Sequence, residues 1–121
     1  MTPTEEDESW RENFLNWVVG NKGLVESTQK AYGRDLEEFC AWLHSAGVRL
    51  STTKEDHIVS YVAHLRDSQH HQLATVARKV VAVRQFFNFL VYEQETMAED
   101  PSAEIAVPTV RDGNPKALTV E

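Results

Sequence analysis

Residues 75–92 read TVARKVVAVRQFFNFLVY. Val76, Val80, Val83, Phe87 and Leu90 recur at spacings of 4, 3, 4 and 3. That keeps them on one narrow stripe of a helix with about 3.6 residues per turn. Arg78, Ala82 and Gln85 fall opposite the stripe. Such a face suits a DNA groove: the base can meet phosphate, Gln can pair with a base edge, and Ala lets the backbone come close. The plainer reading is a core helix with an ordinary solvated back, since surface Arg and Gln are common on helices. The segment alone leaves both readings open.

Working outward, the other segments also carry helical periodicity, and no hairpin dipeptide lies between alternating apolar runs. Trp10, Phe14, Trp17 and Val18 form the stripe of a first helix, which starts near Pro3 or Ser9 and ends at Val19 before the turn residues Gly20 to Gly23. A second helix is expected over 28–45. Ser27 is its N-cap, Tyr32, Leu36, Phe39 and Leu43 are its buried stripe, and Gly47 lies just past its end. Lys30 and Arg34 lie opposite that stripe. Gly33 is out of place in a helix interior, where glycine costs up to about 1 kcal/mol relative to Ala. It is either a tolerated defect or a point of close backbone approach. A third helix is expected over 54–67, capped by Thr52 with Glu55 or Thr53 with Asp56, with Ile58, Tyr61, Val62 and Leu65 facing inward. Thr75 is the expected cap of the fourth helix, and Asp100-Pro101 the start of a short fifth.

These segments resemble the N-terminal core-binding domain of tyrosine recombinases, the integrase family that includes the Xer-type enzymes. Residues 27–36, Ser-Thr-Gln-Lys-Ala-Tyr-Gly-Arg-Asp-Leu, look like the family's "ST…AY.RDL" segment, followed by Phe39, Trp42-Leu43 and Gly47. The 75–92 helix resembles its "T..R.L.A.R.FF.FL" helix. Glu99-Asp100-Pro101-Ser102, then Pro108 and Pro115-Lys116-Ala117-Leu118-Thr119, resemble its exit toward a catalytic domain. The resemblance runs from about Phe14 to Thr119. It implies an all-α, SAM-like fold, an orthogonal four-helix bundle with a short fifth helix. The expected organisation is a DNA-binding domain over 1–105 and a linker over 106–121, where Pro108, Asp112-Gly113 and Pro115 break regular structure. The final residues look like the start of a further helix, so the chain reads as a fragment of something longer.

The resemblance further implies a part in DNA integration and recombination. In the family this domain clamps recombination-site DNA opposite the catalytic domain, and its second and fourth helices approach the grooves. Carried onto this chain, that implies contacts from Lys30, Arg34, Thr75, Arg78, Lys79 and Gln85, with Arg84 at the edge of the stripe. The family often has a bulky base where Gly33 stands, so one phosphate contact would be missing. The implied partners are double-stranded DNA and other recombinase protomers. The competing reading is a SAM-like helical protein–protein interaction module.

Composition bounds these readings. The 121 residues suffice for one modest core, and no apolar run approaches the roughly 18 residues that span a bilayer. With no signal peptide and a single Cys, Cys40, a cytoplasmic protein is the default. The net charge of −7 runs against a nucleic-acid partner. Five of the 19 acids lie within residues 1–12, however, and the remainder nets only −3. The acidity equally suits the protein-interaction reading. The five histidines have no metal-ligand spacing, so no metal or cofactor is expected. There is no phosphate loop and no nucleophile elbow. Tyr32, Tyr61 and Tyr92 read as core or boundary residues. In the family the catalytic residues lie in a further domain, so no catalytic residue is assigned to this chain.

Overall fold

The computed structural model describes residues 3–23, 25–67 and 72–108. Four helices carry the fold: α1 Pro3–Lys22, α2 Glu26–Ser45, α3 Glu55–Asp67 and α4 Leu73–Tyr92. One 3-10 turn, Leu50–Thr52, precedes α3, and no strand occurs among the described residues. The all-helical expectation holds.

α2 and α4 each pack against all the other helices, and the larger buried set belongs to α4. Its stripe of Val76, Val80, Val83, Phe87 and Leu90 is buried as its spacing predicts. A second set, Ala82, Phe86 and Phe89, is buried as well. α1 lies on that side: the ring of Phe14 sits 5.5 Å from Phe86 and 5.6 Å from Phe89, and the ring of Trp17 is tilted against Phe89 at 5.4 Å. The main stripe meets α2 and α3. There Phe39 is perpendicular to Phe87 at 5.8 Å and edge-on to Tyr61 at 5.0 Å. Phe86 and Phe87 join the two aromatic groups. The wide buried arc of α4 explains why its mean composition is the most apolar of the four helices.

The expected core is buried throughout, except that Trp10, Trp17 and Val62 are half-buried at its edge. Cys40 is a small core residue, and burial pushes its thiol up to about 11. Tyr32 and Tyr61 are interior, whereas Tyr92 is 65% exposed at the end of α4.

Several end signals differ from expectation. α2 begins two residues early, with Val25 as an N-cap that makes no side-chain bond, so Ser27 lies within the helix. α4 begins at Leu73 after Gln72, and Thr75 sits in its first turn. α1 continues through Gly20 to Lys22. Thr53 does not cap α3, because its hydroxyl donates to the Arg49 carbonyl at 2.9 Å. The Thr52 hydroxyl donates to the same carbonyl and accepts the Arg49 N–H, closing the 3-10 turn. The start of α3 is held by His57, whose Nδ1 accepts the Lys54 N–H at 2.9 Å. Gly47 does end α2 with φ +76°, the left-handed geometry expected of it.

The short fifth helix is instead a turn over 101–104. It is tied by the Asp100 carboxylate, which accepts from the Ser102 N–H at 2.8 Å and from the Ser102 hydroxyl at 2.6 Å. Residues 109–121, including the expected exit at Pro115–Thr119, and His70-His71 lie outside the described residues.

Candidate nucleic-acid interface

α2 and α4 are joined by a polar contact inside the fold. Asp35 of α2 is only 1% exposed. It follows Tyr32 by three and precedes Phe39 by four, so helix geometry carries it inward with the apolar stripe. Lys79 of α4 lies three beyond Val76 and four before Val83, and is buried for the same reason. The two charges meet with Lys79 Nζ 3.0 Å from Asp35 Oδ1. Lys79 Nζ also donates to Glu38 Oε1 at the solvent margin. Arg78 completes the group: its Nε donates to Asp35 Oδ2 and its Nη2 to Asp35 Oδ1, both at 2.9 Å.

Two acids and two bases therefore cancel one another. Removing charges from water is costly, and it is offset here by paired, charge-assisted bonds of good geometry. The Asp35 hydrogen bonds raise the Arg78 pKa further above its ordinary value, so this guanidinium stays charged. The Arg78 side chain is nevertheless 46% exposed.

The seven sequence-predicted contact residues divide among different surroundings. Lys30 is exposed and pairs with Glu26 at 3.3 Å, one turn earlier on α2. Arg34 is exposed and forms no ion pair among the described residues. Both line an open groove between α1 and α2 whose other charged walls include Glu8, Arg11, Glu12 and Glu37. Arg84 and Gln85 are half-buried and line a recess with Trp17, Asn88, Asp100 and Val107. Thr75 is half-buried.

Two expectations for the α4 face change. Ala82 does not open the helix to a groove, because it is fully buried on the α1 side. Lys79 is interior and engaged by Asp35 and Glu38, so it is not part of an exposed basic face. Asp35 and Glu38 carried no role in the sequence reading. The available signal was an acid on the stripe of α2 and a base on the stripe of α4.

A second polar contact ties α1 to α2. Asp7 is 3% exposed, and its Oδ2 lies 2.7 Å from His44 Nε2. Its Oδ1 has no partner among the described residues. Burial raises the Asp7 carboxyl above its ordinary value, with the His44 bond opposing that shift. No cluster of three or more metal-ligating side chains occurs among the described residues. No helix among them is long and apolar enough to cross a membrane.

Comparison with known proteins resolves the family. The family described as phage integrase, N-terminal SAM-like domain, matches residues 12–94. The tyrosine recombinase XerD of Rhizobium meliloti (strain 1021) is 31% identical over 118 residues, covering 98% of this chain and 37% of that protein. XerD of Pseudomonas aeruginosa is 32% identical over 108 residues, covering 89% of this chain and 36% of the relative. The tyrosine recombinase XerC of Roseiflexus castenholzii is 36% identical over 111 residues, covering 89% and 34%. The chain thus spans little more than a third of the length of these relatives. No solved structure matches it significantly. The all-helical fold, the matched span and these relatives agree: the chain belongs to the phage integrase N-terminal SAM-like family, as a Xer-like tyrosine recombinase N-terminal domain.

Proposed function

We propose that this chain is the DNA-binding arm of a site-specific tyrosine recombinase, clamping recombination-site duplex for a catalytic domain in the same protein. The supporting observation is that Arg34, Arg78 and Gln85 lie at or near the surface of α2 and α4, two helices pinned together by Asp35. Family membership supplies the class of reaction, and these residues supply a means of holding DNA. Arg34, Arg78 and Lys30 meet phosphate, and Gln85 and Arg84 approach a groove from the neighbouring recess. Thr75 flanks them at the start of α4. Strand cleavage and transfer belong to the catalytic domain, and other recombinase protomers are the protein partners.

Lys79 is committed to Asp35, so about three cations remain for phosphate contact. A salt-dependence slope of roughly −2 to −3 follows, with non-specific affinity in the range of about 10⁻⁴ to 10⁻⁶ M. The test is titration of duplex DNA at low salt, followed by backbone amide shifts. Shifts on α2 and the exposed side of α4 are expected, and they should vanish in the Arg34→Glu, Arg78→Gln double variant while its helical circular dichroism persists. Shifts confined to α1 and α3, or unchanged binding by the double variant, would overturn the reading in favour of a protein-interaction module.

A further inference from the structure

A guanidinium carries five N–H donors in a planar fork. In Arg78 the Nε–H and one Nη2–H are occupied by Asp35. The donors on the far side of the fork are not used by Asp35, on a side chain that is 46% exposed. The carboxylate holding it is 1% exposed and is fixed a second time by Lys79. Lys79 in turn is held by Glu38. The orientation of Arg78 is therefore set from inside the protein, through the buried pair Asp35 and Lys79.

We propose that Asp35 is a positioning residue for DNA: it locks the Arg78 guanidinium so that its outer edge meets a single backbone phosphate. This rests on the DNA-binding reading above. A free arginine loses considerable rotamer entropy on engaging phosphate, and a pre-oriented one has already lost it on folding. The buried carboxylate lowers the net positive charge of the surface and still strengthens the contact.

That gives the proposal a sign that simple electrostatics does not share. Asp35→Asn makes the domain more positive by one charge, which by Coulomb attraction alone tightens binding to any duplex. Positioning predicts the opposite. Asp35→Asn should bind a short duplex of arbitrary sequence roughly two- to tenfold more weakly, equivalent to the ordering free energy of one long side chain. Glu93→Gln, with the same charge change at an exposed residue at the end of α4 that belongs to none of these contacts, should bind equally or slightly more tightly. In the Asp35→Asn background, Arg78→Gln should weaken binding by less than it does in the wild-type chain. Circular dichroism and the unfolding midpoint of each variant identify loss of fold.

A wild-type measurement holds even where Asp35→Asn does not fold. The Nε–H resonance of Arg78 should stay hydrogen-bonded and unshifted as duplex is added, while its Nη resonances move. Tighter binding by Asp35→Asn, or migration of the Nε resonance to the position of a free arginine on DNA addition, overturns the positioning role. If Arg78→Gln in the otherwise wild-type chain leaves duplex binding unchanged, the DNA-facing assignment of Arg78 itself fails, which is a different result.

Discussion

Where α2 packs against α4, four charged side chains converge, two of them buried, and every carboxylate oxygen of Asp35 is bonded. Where α2 packs against α1, the charged side chains stand around an open groove, and one oxygen of the buried acid Asp7 has no partner among the described residues. The first seam gains geometric definition because its charges have few ways to be satisfied. The second is held by one polar pair, Asp7 with His44, and has Leu15 of α1 beside Gly33 of α2. In this fold the polar seam is the more precisely specified of the two, and it joins the two helices on which the proposed DNA contacts lie.

Beneath both seams is the aromatic centre, and its removal should have the largest effect. Phe87 is fully buried, with ring neighbours Phe39 and Phe86 each at 5.8 Å. Phe87→Ala leaves a cavity between α2 and α4 that rigid neighbours cannot fill, at a cost of about 3–5 kcal/mol. Urea unfolding at neutral pH measures it. A loss below about 1 kcal/mol would show that the two helices can collapse onto each other, and the contrast between the seams would then lose its basis.

The buried seam can be compared with a solvent-screened pair by deleting one base from the α2–α4 contact and one that ties α1 to the turn after α2. Lys79→Met removes a buried partner of Asp35 and leaves that carboxylate only Arg78, so it should cost about 1–3 kcal/mol. Arg49→Ala removes a half-exposed partner of Glu6, 3.2 Å away on α1. Solvent screening keeps that pair below about 1 kcal/mol. Equal losses in urea titrations of the two variants would mean that burial at Asp35 confers no special definition on the α2–α4 seam.

The sequence made the two apolar stripes legible and left their surroundings obscure. Val76 through Leu90 and Tyr32 through Leu43 announce themselves because one period fits one buried side. Ala82, Phe86 and Phe89 could not be assigned in that way. They are buried by α1 crossing a second side of α4, and a helical period contains no information about a distant helix. Asp35 and Lys79 sat at stripe spacing all along, but an acid and a base on separate stripes become a pair only when α2 and α4 are known to be neighbours. Helix ends misled for a local reason. Ser27 and Thr75 have good capping chemistry, yet each lies within the first turn of a helix capped by Val25 or Gln72. The hydroxyls of Thr52 and Thr53 were drawn to the Arg49 carbonyl instead of α3. For the candidate interface, the exposure of Lys30, Arg34 and Arg78 was legible from their positions opposite the stripes. The commitment of Arg78 to Asp35 was not. It also makes charge reversal at Arg78 a poor probe, since a glutamate there would face a buried carboxylate.

The smallest effect concerns Gly33 on the looser seam. Its backbone is helical, without the positive φ seen at Gly23 and Gly47. A methyl group added there would meet Leu15 Cδ1 at 3.4 Å, an ordinary contact with the mobile end of a side chain, and no backbone lies close. Gly33 is therefore a tolerated defect and not a point of close helix approach. Gly33→Ala should stabilise the domain by about 0.5–1 kcal/mol, because the unfolded chain loses freedom that the helix never used. The gain is read as a higher urea midpoint with unchanged slope. A loss of stability would mean that Leu15 cannot yield and that the α1–α2 seam is as tightly fitted as the α2–α4 seam, reversing the comparison between them.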